Sequence, residues 1–106
     1  MIIYNCCMKA SLPNICGFEW DDGNRDKNRI KHGVSNGEAE QVFFNQPLLI
    51  IDDERHSFVE HRFAAFGKTD SERTLTIIFT LRGDRIRVIS AQDMHRKERK
   101  FYEENG

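Results

Sequence analysis

Two segments of this chain carry arginines at spacings suited to holding a phosphate. Arg85 and Arg87 stand two apart in Asp84-Arg85-Ile86-Arg87-Val88-Ile89-Ser90-Ala91, and Glu60 and Arg62 stand two apart earlier. Residues two apart on a strand share a face. A guanidinium fork binds phosphate oxygens in pairs and stays charged at any working pH. Arg62 and Arg87 on adjacent strands can grip a phosphodiester and offset the extra charge of its transition state. Glu60 shares the face of Arg62 and can serve as a proton acceptor. The plainer alternative is that Glu60 and Arg62 form surface cross-strand pairs.

His32 is the preferred acid–base candidate, with Glu60 in reserve, because histidine titrates near neutrality unaided. It follows Lys31 at the end of a short polar segment. Its plainer role is a helix-terminal histidine facing the helix dipole. His56, His61 and His95 lack any HxH, CxxC or HxxxH spacing, so no metal site is expected. The chain has no glycine-rich phosphate loop and no serine nucleophile elbow.

The elements that must position these residues follow from the hydrophobic pattern. Phe18-Glu19-Trp20 reads as a short strand ended by Asp21-Asp22-Gly23. Asn24 to His32 reads as a polar helix stopped by Gly33. Ser35 and Glu38 form a capping box for a second helix carrying Ala39, Val42 and Phe43, which ends at Asn45-Gln46-Pro47. Leu48–Ile51 reads as a strand, and Glu60–Phe66 as another closed by Gly67.

Thr74 to Leu81 alternates, and Gly83-Asp84 suits a two-residue hairpin loop of type II′. That register pairs Arg82 with Arg85, Leu81 with Ile86, Thr80 with Arg87 and Phe79 with Val88. Leu81, Phe79, Ile86 and Val88 then form the core face, with Arg87 on the other face beside Thr80. Asp93 is the expected cap of a final helix holding Met94, Phe101 and Tyr102. The fold class is α+β: an antiparallel sheet of about four strands, with two N-terminal helices and one C-terminal helix. With the helices on one face, the opposite face stays partly open.

The chain has 106 residues and a net charge of −1. That length fits one domain with a small core. With 39% hydrophobic and 31% charged residues it reads as globular rather than disordered. Near-zero charge excludes whole-protein attraction to nucleic acid, so any such binding rests on local segregation. Arg25, Lys27, Arg29 and Lys31 cluster in one stretch, and Arg96, Lys97, Arg99 and Lys100 in another. Cys6, Cys7 and Cys16 make a poor disulfide framework, which points to reduced thiols and a cytoplasmic setting. Residues 1–16 read as an appendage outside the core, without the pattern of a signal peptide, and residues 17–106 as the domain.

Phe18-x-Trp20-Asp21, Asn28, Lys31-His32-Gly33-Val34-Ser35, Glu60-x-Arg62, Gly67, the block from Arg85 to Ala91, and Arg96-Lys97-Glu98-Arg99 with Tyr102 resemble the BrnT toxin family. The likeness runs from about Phe18 to Glu103. It implies a RelE-like fold and a type II toxin–antitoxin role. It further implies a ribonuclease that arrests translation and growth, needs no cofactor, and is blocked by a ribbon-helix-helix antitoxin of the BrnA kind. Operator DNA would be bound only through that complex, and no membrane is involved.

Carried over by position, the resemblance marks Trp20, Asn28, Lys31, His32, Glu60, Arg62, Arg87 and Ser90. The expected catalytic set is His32, Glu60, Arg62 and Arg87. The expected RNA-binding set is Trp20, Lys27, Lys31, Arg85 and Gln92. Two positions depart from the pattern. Asn24 stands where many members have Lys, and Gln92 where they have Arg. Lys27, one turn after Asn24, can partly substitute, whereas Gln92 hydrogen-bonds without neutralising charge. These losses motivate an alternative: a toxin homologue weakened in cleavage, retained as antitoxin-binding partner and co-repressor. Direct DNA recognition by the basic last helix is disfavoured, because that helix must bury Phe101 and Tyr102.

Overall fold

The hairpin forms in the register that the alternation predicts. Arg82 faces Arg85, Leu81 faces Ile86, Thr80 faces Arg87 and Phe79 faces Val88. Gly83 takes the turn with φ +61, a left-handed conformation that costs glycine least. A computed structural model describes residues 4–5, 16–20, 32–53 and 60–106, the first two by backbone alone. In chain order the elements are β1 (Tyr4–Asn5), β2 (Gly17–Glu19), α1 (Asn36–Val42), β3 (Leu49–Asp52), β4 (Arg62–Lys68), β5 (Thr74–Arg82), β6 (Arg85–Asp93) and α2 (Arg96–Asn105). They make an α+β domain around one sheet ordered β1-β3-β4-β5-β6-β2.

The sheet differs from the expected four antiparallel strands. Five strands have three or more residues, and two-residue β1 pairs with β3 at one edge. The sheet is mixed, because β2 lies parallel to β6. Cys16 N–H donates to the Asp84 carbonyl at the hairpin turn, so the chain enters the free edge of β6 at its start and runs along it. Two helices lie among the described residues. The expected helix over 24–32 falls outside them except for His32, which is helical.

The helices cover opposite faces of the sheet, which overturns the one-sided arrangement. On the first face Val34, Ala39, Val42 and Phe43 pack against Ile50, Ala65, Ile77, Phe79, Ile86 and Val88. Phe43 meets Phe79 edge-on, with ring centroids 5.2 Å apart. On the second face Met94 and Tyr102 pack with Leu49, Ala64 and Phe66. Tyr102 OH donates to the Pro47 carbonyl at 2.6 Å, satisfying a buried hydroxyl. Both faces need cover because β3 and β4 are apolar on each side: Ile50 and Ala65 face α1, Leu49 and Phe66 face α2.

Three local expectations are corrected. Leu81 is 37% exposed while its partner Ile86 is fully buried. Phe18 of β2 lies beside Ile86, but β4 begins only at Arg62, so no strand residue flanks Leu81 on its other side. The N-cap of α2 is His95 rather than Asp93, and its N–H donates to Glu98 at 3.1 Å. Gly67 lies inside β4 instead of closing it. The Ser35–Glu38 capping box of α1 forms as expected, although the helix ends at Val42.

No helix among the described residues is long and apolar enough to cross a membrane. A Cβ on Gly67 would stand 2.7 Å from Val42 Cγ1 and 3.2 Å from the Val42 carbonyl. Gly67→Ala is therefore expected to push α1 off the sheet and cost about 1–3 kcal/mol. Urea titration checks this; an unchanged midpoint would show that α1 moves aside freely.

Candidate nucleic-acid interface

The strand register sets out the α2 face in four rows. Leu49, Phe66, Thr76 and Gln92 lie abreast, followed by Ile51, Ala64, Ile78 and Ser90. The third row is Arg62, Thr80, Arg87 and Glu19. Asp53 adjoins it, its N–H donating to the Arg62 carbonyl at 2.9 Å. In the fourth, Arg82, Arg85 and Gly17 lie abreast. Glu60, two residues before Arg62, joins them through Arg82. Helix α2 covers the first row and stops short of the last two, so four arginines share the end of the face beyond it, Arg62 and Arg87 half-buried and Arg82 and Arg85 exposed.

A β-bulge is needed for this arrangement. Phe79 pairs with Val88 but Ile78 pairs with Ser90, leaving Ile89 as an extra residue in β6. Unbroken alternation from Ile86 and Val88 would send Ser90 and Gln92 into the α1 core. The extra residue turns Ala91 inward, fully buried, and brings Gln92 onto the face of Arg87.

The arginines are held by carboxylates. Arg87 donates to Glu19 at 2.8 Å, and Arg82 to Glu60 at 3.1 Å. Arg87 is only 21% exposed. Thr80 is buried between Arg62 and Arg87, its hydroxyl donating to the His61 carbonyl at 2.7 Å. Arg85 is exposed and leans over Gly17, where a Cβ would lie 3.7 Å from its Nη1. A phosphate entering here exchanges a carboxylate for a phosphate on Arg82 and Arg87, a trade that salt screens.

The structure thus brings together Glu60, Arg62, Arg85 and Arg87. Gln92 shares their face but lies two rows away beside α2. His32 lies elsewhere: its carbonyl accepts from Arg73, which precedes β5, whereas Thr80 is near the other end of that strand. Six residues of strand separate Thr74 from Thr80, about 20 Å. Trp20 packs against the α1 core and its indole N–H donates to Glu40 at 2.8 Å. Lys27 and Lys31, like the departing position Asn24, lie outside the described residues.

Sequence reasoning missed Arg82 and Glu19. The hairpin register contained the signal for Arg82, since opposed residues share a face and Arg82 opposes Arg85. Nothing local marked Glu19, whose place depends on the parallel pairing of β2.

A family model described as the ribonuclease toxin BrnT of type II toxin–antitoxin systems matches residues 20–98. The chain belongs to the BrnT family. No curated protein matches it. The BrnT match spans the arginine-bearing strands from Glu60 to Arg87 and reaches into α2, while Glu19 falls just before it. A BrnT toxin pairs with an antitoxin, so the chain has a protein partner as well as a ribonuclease heritage.

Arg73 fixes the region around His32. Its Nε and Nη2 donate to the two Asp93 oxygens at 2.6 and 2.9 Å, and Nη1 donates to the Gly33 carbonyl at 2.9 Å and to Glu38 at 3.2 Å. Hydrogen bonds from Arg73 hold the Asp93 carboxyl below its ordinary range. The Ser35 backbone N–H, with help from Arg73, lowers the Glu38 carboxyl. Depressed folded-state values mean that both groups stabilise the fold above their unfolded pKa values, and that this is lost as pH falls through the folded ones. Wild-type stability is expected to fall on acidification below about pH 4, and Asp93→Asn to flatten that limb. Urea midpoints at neutral and acid pH test it; parallel curves would remove Asp93 from the account.

Proposed function

We propose that this BrnT-family chain is an endoribonuclease toxin that cleaves RNA across the arginine-bearing rows of the α2 face. The observation that carries this reading is the register that sets Arg62 and Arg87 on either side of buried Thr80, on one sheet face beyond the reach of α2. In the proposed reaction the RNA 2′-hydroxyl attacks the adjacent phosphorus. Glu60 accepts its proton, the bond to the 5′-oxygen breaks, and that oxygen leaves with a proton from water. The products are a 2′,3′-cyclic phosphate and a 5′-hydroxyl. Arg62 and Arg87 offset the charge that builds on the phosphoryl oxygens. Because guanidinium groups supply that charge, the route needs no metal ion.

Glu60 takes the acid–base role ahead of His32, the candidate preferred from sequence, because it shares the arginine face, whereas His32 stands at the other end of β5 with its backbone carbonyl held by Arg73. Lys27 and Lys31 remain proposed contacts for flanking phosphates, and Arg85 is the exposed cation best placed to meet RNA first. Cleavage of cytoplasmic RNA then halts translation and growth. A ribbon-helix-helix antitoxin of the BrnA kind neutralises the toxin, and the pair binds operator DNA.

One observation favours the second reading of a weakened toxin retained as antitoxin partner and co-repressor. Glu19 and Glu60 already occupy two of the guanidinium forks, and Gln92 supplies no charge. The same assay separates the two readings. Purified wild-type chain is expected to cleave an RNA oligonucleotide and to leave its 2′-deoxy counterpart intact. Arg87→Ala and Glu60→Gln are each expected to lower the cleavage rate by about 10²-fold, and His32→Ala to leave it within a few-fold. Full cleavage by folded Arg87→Ala would sink the site. No cleavage by the wild type, with antitoxin binding intact, would establish the weakened homologue.

A further inference from the structure

Beside the arginine rows the same face holds a groove of a different character. Its volume is about 350 Å³, and its floor includes Ile51, Ala64 and Ile78. Ile51 and Ile78 pack on the Leu49–Tyr102 cluster yet remain partly exposed, because α2 covers only the row before them. Asp53 and Glu98 line the groove from opposite sides, one following β3 and the other in the first turn of α2. Glu98 is anchored by the Thr76 hydroxyl at 2.9 Å, so its charge is held in place.

The two halves of the face therefore differ in character: the arginine rows carry cations paired with Glu19 and Glu60, the groove an apolar floor edged by carboxylates. The groove, with Ile51, Ala64 and Ile78 on its floor and with Asp53 and the Glu98–His95 pair on its rims, adjoins rows that carry Arg62, Arg82, Arg85 and Arg87. A nucleic-acid backbone suits the arginine rows but meets repulsion at the groove. A protein segment can satisfy both, with an apolar anchor flanked by a cation on one side and carboxylates on the other. Such a segment would also cover the arginines that RNA needs.

We propose that this groove docks the antitoxin. An apolar side chain flanked by Lys or Arg enters over Ile51 and Ile78, and acidic residues of the same segment run on across Arg62 and Arg87, closing the RNA face. This rests on the type II toxin–antitoxin reading and adds the place and chemistry of contact.

The test uses the full chain and the antitoxin encoded with it, purified separately, with Kd measured by calorimetry. Ile78→Asp is expected to weaken binding by about 100-fold, and Ile51→Ala by about 10-fold, as for anchors at the centre of an interface. Glu98→Gln keeps an acceptor for His95 N–H while removing the charge. It is expected to weaken binding several-fold and to flatten its salt dependence. Circular dichroism confirms folding, and the two milder variants carry the test if Ile78→Asp unfolds. RNA oligonucleotide affinity of the free toxin is expected to persist in Ile51→Ala.

If the wild type binds the antitoxin and both milder variants bind it equally well, the groove is overturned while the toxin–antitoxin reading stands. If the wild type binds no antitoxin, that reading itself fails and the docking proposal with it. Loss of RNA affinity in Ile51→Ala, or loss of self-association in place of antitoxin binding, would reassign the groove to RNA or to a second copy.

Discussion

One guanidinium ties the segment before α1, helix α1 and the end of β6 to one end of the sheet. Arg73 sits between β4 and β5, yet its nitrogens reach Asp93 at the end of β6, Glu38 in α1, and the carbonyls of His32 and Gly33. Five hydrogen bonds converge on one planar group whose geometry is fixed by its own bonds. Lysine cannot reproduce them, since a single ammonium offers three donors from one point. The clamp is 29% exposed and so partly shielded from water, which raises the worth of each bond and the cost of losing it. It sets where the segment before α1 meets the sheet, and hence which end of the molecule His32 occupies.

The opposite end is governed by the sheet alone. Helix α2 has ten residues and covers only part of the face it packs on. Beyond it strand pairing dictates which side chains are neighbours. That is why Arg62, Arg82, Arg85 and Arg87 gather although they come from three strands. It is also why their carboxylate partners come from β2 and from the approach to β4. The arrangement resembles a charge-balanced lattice more than a cationic pocket, which accords with a net charge near zero.

The local chemistry was legible and the global geometry was not. The hairpin register could be written from alternation and from Gly83, and the α1 cap from Ser35 and Glu38, because each depends on residues close in sequence. Arg85 and Arg87 share a face through that register, and Glu60 and Arg62 through their spacing, whereas the alignment of Arg62 with Thr80 depends on the pairing of β4 with β5. The placement of α1 and α2 on opposite faces was hidden, because β3 and β4 read simply as apolar and do not say which helix takes which side. The bulge at Ile89 was hidden as well, since inserting one residue leaves no mark on composition. Leu81 was misread because burial depends on lateral neighbours, and at its rung only the side toward Ile86 has a strand partner. His32 was grouped with the arginines by chemistry, and only the Arg73 clamp reveals that it stands at the other end.

The parallel pairing of β2 with β6 has a consequence in time. Glu19 and Arg87 are 68 positions apart, and Arg87 is among the last strand residues to be synthesised. A nascent chain with β2 already outside the ribosome has nothing to pair it with until β6 emerges. The Glu19–Arg87 pair at the edge of the arginine face therefore closes only after β6 has been made, later than the pairing of β4 with β5 can begin.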